Sequence, residues 1–206
     1  MSTREEQKAK TRARLLNSAL RTFARKGYYE ATVDDIARDA GLTTGAIYSH
    51  FKDKEDMFLA ALDERARRDR DENASIMANG DRESRLRAIE ERLIRIVHDR
   101  DWTLLSHEFF LYAARNPRLR KLFRQRAKRE ITTARETFHD YWDASVVPIE
   151  DLVLIVDAVV AMLSLYALQD PKADLSEKLR SAFRFLVQAG ELDLSSRSNP
   201  ETSRAH

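Results

Sequence analysis

Cysteine is absent from the 206 residues, which excludes disulfides and thiolate-held metals and suits a reducing cytoplasm. Glycine and proline are scarce, at five and four residues, while Ala, Leu, Arg and Glu abound. Sheets need frequent turns, so this scarcity predicts an all-α protein. The N-terminal MSTREEQKAKTRARLL is charged and lacks the apolar core of a signal peptide. The longest apolar run, 152–168, is short for a bilayer span and is interrupted by Asp157, so it reads as a buried helix and no membrane partner is expected. Net charge is only +2, which says little about nucleic acid, yet residues 1–54 hold eleven Lys or Arg against seven Asp or Glu.

What is present is helical periodicity almost throughout. Leu15, Leu16, Ala19, Leu20, Phe23 and Ala24 recur at helical spacing, with Gly27 as the stop. Thr32 followed by Asp35 is close to a capping box and predicts a second helix over 33–40, ended by a left-handed Gly41. Thr43 reads as the cap of a short third helix through Ser49, and Asp53 as the cap of a fourth that runs into the polar DERARRDRDEN. Five further helices are expected near 82–100, 102–115, 118–142, 149–168 and 175–189, the last ended by Gly190. The expected division is a first domain over 1–55, ordered from about residue 10, a second over 56–194, and a disordered tail over 195–206. Residues before Lys10 read either as a basic arm reaching phosphates or the minor groove, or as disordered.

The second helix, the tight turn at Gly41 and the short third helix form a helix-turn-helix, with Ile36, Leu42 and Ile47 turned towards helix one. Thr44, Gly45, Tyr48, Ser49 and His50 remain, a set of short polar groups and rings suited to a groove rather than a core. Gly45, with no side chain, lets the backbone come close to a base edge or phosphate. The amides exposed at Thr43 suit a phosphate oxygen. Lys54 places a cation at the positive end of a helix dipole, which an external anion such as a DNA phosphate would make favourable; the alternative is a solvated charge beside Glu55 and Asp56.

The pattern TVDDIARDAGLTTGAIYSHFKDKEDMF, preceded by RLLNSALRTFARKGY, resembles the DNA-binding domain of the tetracycline-repressor (TetR) family from about Arg12 to Phe58. The resemblance implies a homodimeric transcription factor, usually a repressor, whose recognition helices enter successive major grooves of a palindromic operator until a small molecule binds the C-terminal domain. By position it places Thr44, Gly45 and Ser49 nearest base edges, and Thr32, Thr43, Tyr48, His50 and Lys54 mostly on phosphates. Tyr48 could equally pack against helix one, and His50 could cap helix four. Helix three holds no Arg, Asn or Gln, so specificity leans on backbone placement, apolar contact and DNA shape.

Beyond Phe58 no motif aligns with that family. The segment DLVLIVDAVVAMLSLYALQ is apolar on nearly every side and needs covering on nearly every side, which predicts a four-helix interface between two copies, the alternative being a core helix covered entirely within one chain. The interface residues expected are Val156, Val160, Leu163, Phe183, Leu186 and Val187. Aromatic residues on the sixth and seventh helices read first as core and second, with polar residues nearby, as an effector pocket, the pocket set being His98, Trp102, His107, Phe109, Phe110, Tyr112, Tyr141 and Trp142. Histidine spacing is not that of a metal site, and the sequence implies neither metal nor cofactor. Eight cations between 115 and 129 read as a solvated face, a site for an acidic ligand, or an accessory DNA contact. Two rival functions stand beside a ligand-responsive repressor: a DNA-binding regulator without a small-molecule effector, and an all-helical enzyme, for which no nucleophile elbow, P-loop or dinucleotide fingerprint is found.

Overall fold

The computed structural model describes residues 3–142 and 148–197, with the backbone alone for 139–142 and 189–197. The described residues form helices and no strand: α1 (Arg4–Lys26), α2 (Val33–Ala40), α3 (Thr44–Tyr48), α4 (Lys54–Ala78), α5 (Arg82–Val97), α6 (Arg100–Arg115), α7 (Pro117–Trp142), α8 (Ile149–Gln169) and α9 (Ser176–Arg197). They divide into two compact units, one holding residues 1–72 and 101–115, the other 73–100 and those from 116 onward. The boundary expected at 55/56 is therefore not where the chain divides: α6 returns to the first unit, and α4 is shared.

Local rules fix most of the boundaries. Thr32 accepts from the Asp35 amide at 3.1 Å while the Asp35 carboxylate accepts from the Thr32 amide at 3.1 Å, a reciprocal cap on α2. Gly41 sits at φ 60°, in the left-handed region, and Leu42 N–H reaches back to Ala37 O at 2.9 Å, so the turn closes on α2's free carbonyls. Thr43 accepts from the Ala46 amide at 3.2 Å to start α3, and Asp53 accepts from the Asp56 amide at 2.7 Å to start α4. His50 is thus not the cap of α4.

Two ends differ from expectation. At the N-terminus α1 begins at Arg4 rather than near Lys10, because Thr3 and Glu6 form a second reciprocal cap. Neither a loose arm nor disorder describes residues 4–10. At the other end α9 runs through Gly190 to Arg197; glycine inside a helix costs about 1 kcal/mol relative to alanine, which does not suffice to stop it.

In the first unit Leu15, Leu16, Ala19 and Phe23 of α1 are buried with Ile36 and Ala40 of α2, Ile47 of α3, Met57, Phe58 and Ala61 of α4, and Leu105 and Phe109 of α6. In the second, Ile89, Leu93 and Val97 of α5 form a core with Val160 of α8, and with Leu175 and Leu179 at the start of α9.

Asp35 also lies 2.8 Å from Lys26 Nζ. That ammonium, followed by the Thr32 hydroxyl and amide, holds its carboxyl well below the usual carboxylate range. A depressed carboxylate stabilises the fold above its unfolded value, about pH 4, and this stabilisation is lost as pH falls through the folded one. Asp35→Ala is therefore expected to lower the melting temperature at pH 7, with the difference from the parent narrowing steadily below about pH 4. A difference that does not depend on pH would remove the carboxylate from the account.

Candidate nucleic-acid interface

The structure brings the residues expected near DNA onto and around one short helix. Tyr48 is 57% exposed and Gly45 and Ser49 are exposed on α3, so the Tyr48 ring does not pack against α1. A Cβ built at Gly45 would meet only Thr43 Oγ1, at 3.8 Å. The glycine is therefore not there for internal packing. Thr44 donates to Asp34 at 2.7 Å and Ser49 donates to Ala46 O at 2.7 Å, which orients both hydroxyl oxygens with their acceptor lone pairs free. Thr32 is exposed at the start of α2, its hydroxyl given to Asp35 at 2.8 Å. His50 is half-buried, and burial, then the charges of Lys8 and Arg12, push its imidazole below its ordinary value. An imidazole so placed is charged less readily than a free one.

Basic residues that the sequence reading left out surround this face. Arg12 lies over the Phe51 ring at 5.3 Å, and Lys8 and Arg12 together bias His50. Lys52, immediately before α4, is exposed, and only its backbone amide is engaged, with Asp56 at 3.0 Å. The signal was available in F-K-D-K, where the first lysine lies outside the helix and the second inside it.

Lys54 is a correction. Its ammonium donates to the carbonyls of Tyr28 at 2.8 Å, Tyr29 at 3.2 Å and Ala31 at 3.0 Å, and lies 4.7 Å from the Tyr28 ring centroid. An ammonium has three donors, and three carbonyls take them. What offsets the unfavourable dipole position is the α1–α2 loop of the same unit, and no donor is left for a phosphate.

That loop is held from a second side by α6. Glu108 accepts from the Tyr28 amide at 2.7 Å, and a Cβ at Gly27, where φ is 78°, would sit 3.2 Å from the same carboxylate oxygen. Gly27 is needed for both reasons. Tyr112 donates to Glu55 at 3.0 Å and stacks on Tyr28 at 5.0 Å, while Phe109 packs edge-on against Phe58 at 5.8 Å. Burial and then its contact with Tyr112 push the Tyr28 phenol above its ordinary range. Both tyrosines therefore stay neutral and donate. Tyr112→Phe keeps the ring stack and removes one half-buried bond, so it is expected to cost about 1 kcal/mol and lower the melting temperature by a few degrees.

The residues expected to line an effector pocket fall in both units. Phe109 and Tyr112 belong to the core under the helix-turn-helix, Trp102 lies under the Arg65 guanidinium at 4.9 Å, and His107 Nδ1 is 2.8 Å from Thr103 O of its own helix. Phe110 is 54% exposed. His98 ends α5 in the second unit, 4.0 Å from Asp174. The side chains of Tyr141 and Trp142 lie outside the described residues. Spacing marked a buried stripe on α6 correctly, but a stripe does not say which unit it is buried against.

The residues expected at a dimer interface are partly covered within the single chain. Val160 is in the second core, and Val156, Leu163 and Phe183 pack against it; Leu186 and Val187 are half-buried. The apolar side chains left outward are Leu154, Ile155, Met162 and Tyr166 of α8 and Phe185 of α9, the last 69% exposed. A helix apolar all round has no stripe from which its rotation can be read. Long and apolar enough to cross a membrane, α8 nonetheless buries Ser164 along with Leu152 and Val160. Among the described residues no cluster of His, Cys, Asp or Glu could hold a metal.

Residues 15–61 match the family model described as bacterial regulatory proteins, tetR family. The HTH-type transcriptional regulator AcrR of Shigella flexneri is 46% identical over 59 residues, 28% of this chain and 27% of AcrR. Across the first such relatives the chain spans a quarter to two fifths of their length. Among solved structures, the fatty acid degradation regulator FadR of Bacillus halodurans superposes with TM-score 0.71 at 20% identity, covering 86% of this chain and 94% of that one. The regulator FadR of Bacillus subtilis in complex with stearoyl-CoA superposes with TM-score 0.62 at 18% identity, covering 86% and 98%. These likenesses extend the shared fold well beyond the helix-turn-helix. The capped α2, the left-handed Gly41 and the short, outward-facing α3 all lie inside the matched segment, so residues 15–61 form a helix-turn-helix of the kind described for the tetR family of bacterial regulatory proteins.

Proposed function

We propose that this chain is a ligand-responsive transcriptional repressor that binds a palindromic operator in cytoplasmic DNA as a homodimer and acts by binding rather than by catalysis. One observation carries the reading: α3 presents Gly45, Tyr48 and Ser49 outward with no internal packing role for the glycine, on a helix-turn-helix braced from behind by Lys54 and α6. Such a surface costs stability unless something outside uses it. Gly45, Ser49 and Thr44 approach base edges, Tyr48 meets a phosphate or a thymine methyl, and Thr32, Thr43, His50, Arg12 and Lys52 hold the backbone.

The dimer is supported by Leu154, Met162, Tyr166 and Phe185, an outward apolar set on α8 and α9 that a second copy would cover. Leu154→Glu combined with Met162→Glu is expected to give a folded monomer in sedimentation and to lose operator binding. An effector is supported by grooves of about 460 and 320 Å³ in the second unit, large enough for a small molecule, and by the stearoyl-CoA complex of the structural relative. Helix α4 runs unbroken from Lys54, in the first unit, to residues of the second, so an effector that favours one dimer geometry shifts the spacing of the recognition helices through it. Coupling is reciprocal, so operator DNA weakens effector binding by the same factor. Selection from random duplex DNA tests the whole reading. A palindrome with half-sites about one turn, ~34 Å, apart is expected, and enrichment of no motif would end it.

A further inference from the structure

We propose that the groove between α7 and α8 binds a small phosphate-bearing amphiphile, and that this molecule is the effector; the effector role, though not the binding itself, rests on the regulatory reading above. The groove has a volume of about 460 Å³. Arg124, Lys128 and Arg135 line it, interleaved with Ala127 and Ile131. Positions 124, 128, 131 and 135 advance by four, three and four residues, so they fall on one stripe that spans roughly 16 Å along the helix. The site thus joins three aligned cations to the apolar surface of Ala127 and Ile131 between them.

A solvated helix face does not look like this in the same chain. On α4 the exposed arginines are interleaved with carboxylates: Arg67 contacts Glu64 at 2.9 Å and Asp71 at 2.5 Å, Arg68 contacts Glu64 at 2.9 Å, and Arg65 contacts Asp69 at 3.3 Å. The first thirteen residues of α7 hold seven cations and no carboxylate. Among the described residues neither Arg124 nor Lys128 has a carboxylate partner, and Arg135 is met by Glu150 from the start of α8. Like charges along one stripe repel, Glu150 offsets only the one on Arg135, and a bound dianion removes the repulsion that remains. Duplex DNA would also supply anions, but it presents a broad convex edge and gains little from the apolar surface of exposed Ala127 and half-buried Ile131 between the cations. A phosphate on a short apolar body satisfies both the charges and the apolar surface between them. Glu150 competes with it for Arg135.

Calorimetry on the full chain with octyl phosphate tests the site, with octanol and inorganic phosphate as the two halves of the ligand. One site per chain is expected for octyl phosphate, and at least tenfold weaker binding for either half. Arg124→Glu with Lys128→Glu, both exposed and remote from either core, is expected to weaken octyl phosphate at least tenfold with helicity and melting temperature retained. Should that variant disturb the fold, Arg124→Gln with Lys128→Gln removes the charge without reversing it and is expected to weaken binding at least threefold. Glu150→Gln is expected to tighten binding about threefold. Unchanged affinity in the charge variants, or octanol binding as well as its phosphate, overturns the proposal. So does a charge variant that loses non-specific duplex binding while keeping octyl phosphate. Release of the selected operator by octyl phosphate is scored separately: binding in the groove without release leaves the site standing and removes the effector role, whereas a chain that binds no DNA removes the regulatory reading alone.

Discussion

Gly45→Ala is expected to leave the protein as stable as the parent, or more stable by up to about 1 kcal/mol, and to weaken operator binding by tenfold or more. The two halves of that result come from different observations. Inside the protein the added methyl meets Thr43 Oγ1 at 3.8 Å, ordinary contact, and nothing else nearby, so neither strain nor a clash opposes the gain in helix propensity. Outside, the methyl occupies the space through which the α3 backbone approaches the edge of a base or its sugar. A single well-placed contact in the major groove carries about 1–3 kcal/mol of discrimination, and tenfold is ~1.4 kcal/mol, so the loss of one such approach suffices. Gly45→Val should lose more binding still. Thermal denaturation and titration of the selected operator, set against a scrambled duplex, read the two halves independently. The scrambled duplex is held by phosphates alone and should be bound nearly as by the parent. If Gly45→Ala bound operator like the parent, α3 would not be the element that approaches the bases.

How far the sequence reveals this architecture depends on the range of the interaction concerned. Thr32 with Asp35, Gly41, Thr43 and Asp53 act on residues within four positions of themselves, and each stands where its pattern places it. Thr3 with Glu6 has the same spacing as Thr32 with Asp35, so the early start of α1 was legible too, hidden only by the polarity of REEQKAK. The side chains of α6 behave otherwise. Its buried face is visible as periodicity, but its partner is a loop eighty positions away, and nothing local to Glu108 announces the Tyr28 amide. The rotation of α8 was unreadable for a third reason, since every face of it is apolar and the choice between Val160 inward and Met162 outward is made by α5 and α9. Lys54 combines these limits. Its oddity at a helix start was plain, and the anion expected to explain it turned out to be three carbonyl oxygens.

That difference makes Lys54→Met the most discriminating substitution at the candidate site. A lysine on a phosphate contributes one released counterion, and removing it flattens the dependence of binding on salt by about 0.9 in log–log slope. A lysine committed to carbonyls contributes none. Lys54→Met should therefore leave the slope unchanged while destabilising the first unit, because three oxygens of a tight loop lose a charged donor at once and the Tyr28 ring loses a cation 4.7 Å from its centroid. Water can rehydrate part of that loop, so the cost is set by roughly one or two charged hydrogen bonds, about 2–3 kcal/mol, and the melting temperature falls by several degrees. Operator affinity falls with it, since the loop that Lys54 closes sets where α2 begins and so where α3 points. Lys52→Met should show the reverse: an unchanged melting temperature and a slope flatter by about one unit. Arginine at 54 is not expected to rescue, since a planar fork does not converge on three carbonyls as an ammonium does. If Lys54→Met melted like the parent and lost a unit of salt dependence, the ammonium would belong to the DNA, and the clamp read from these distances would be wrong.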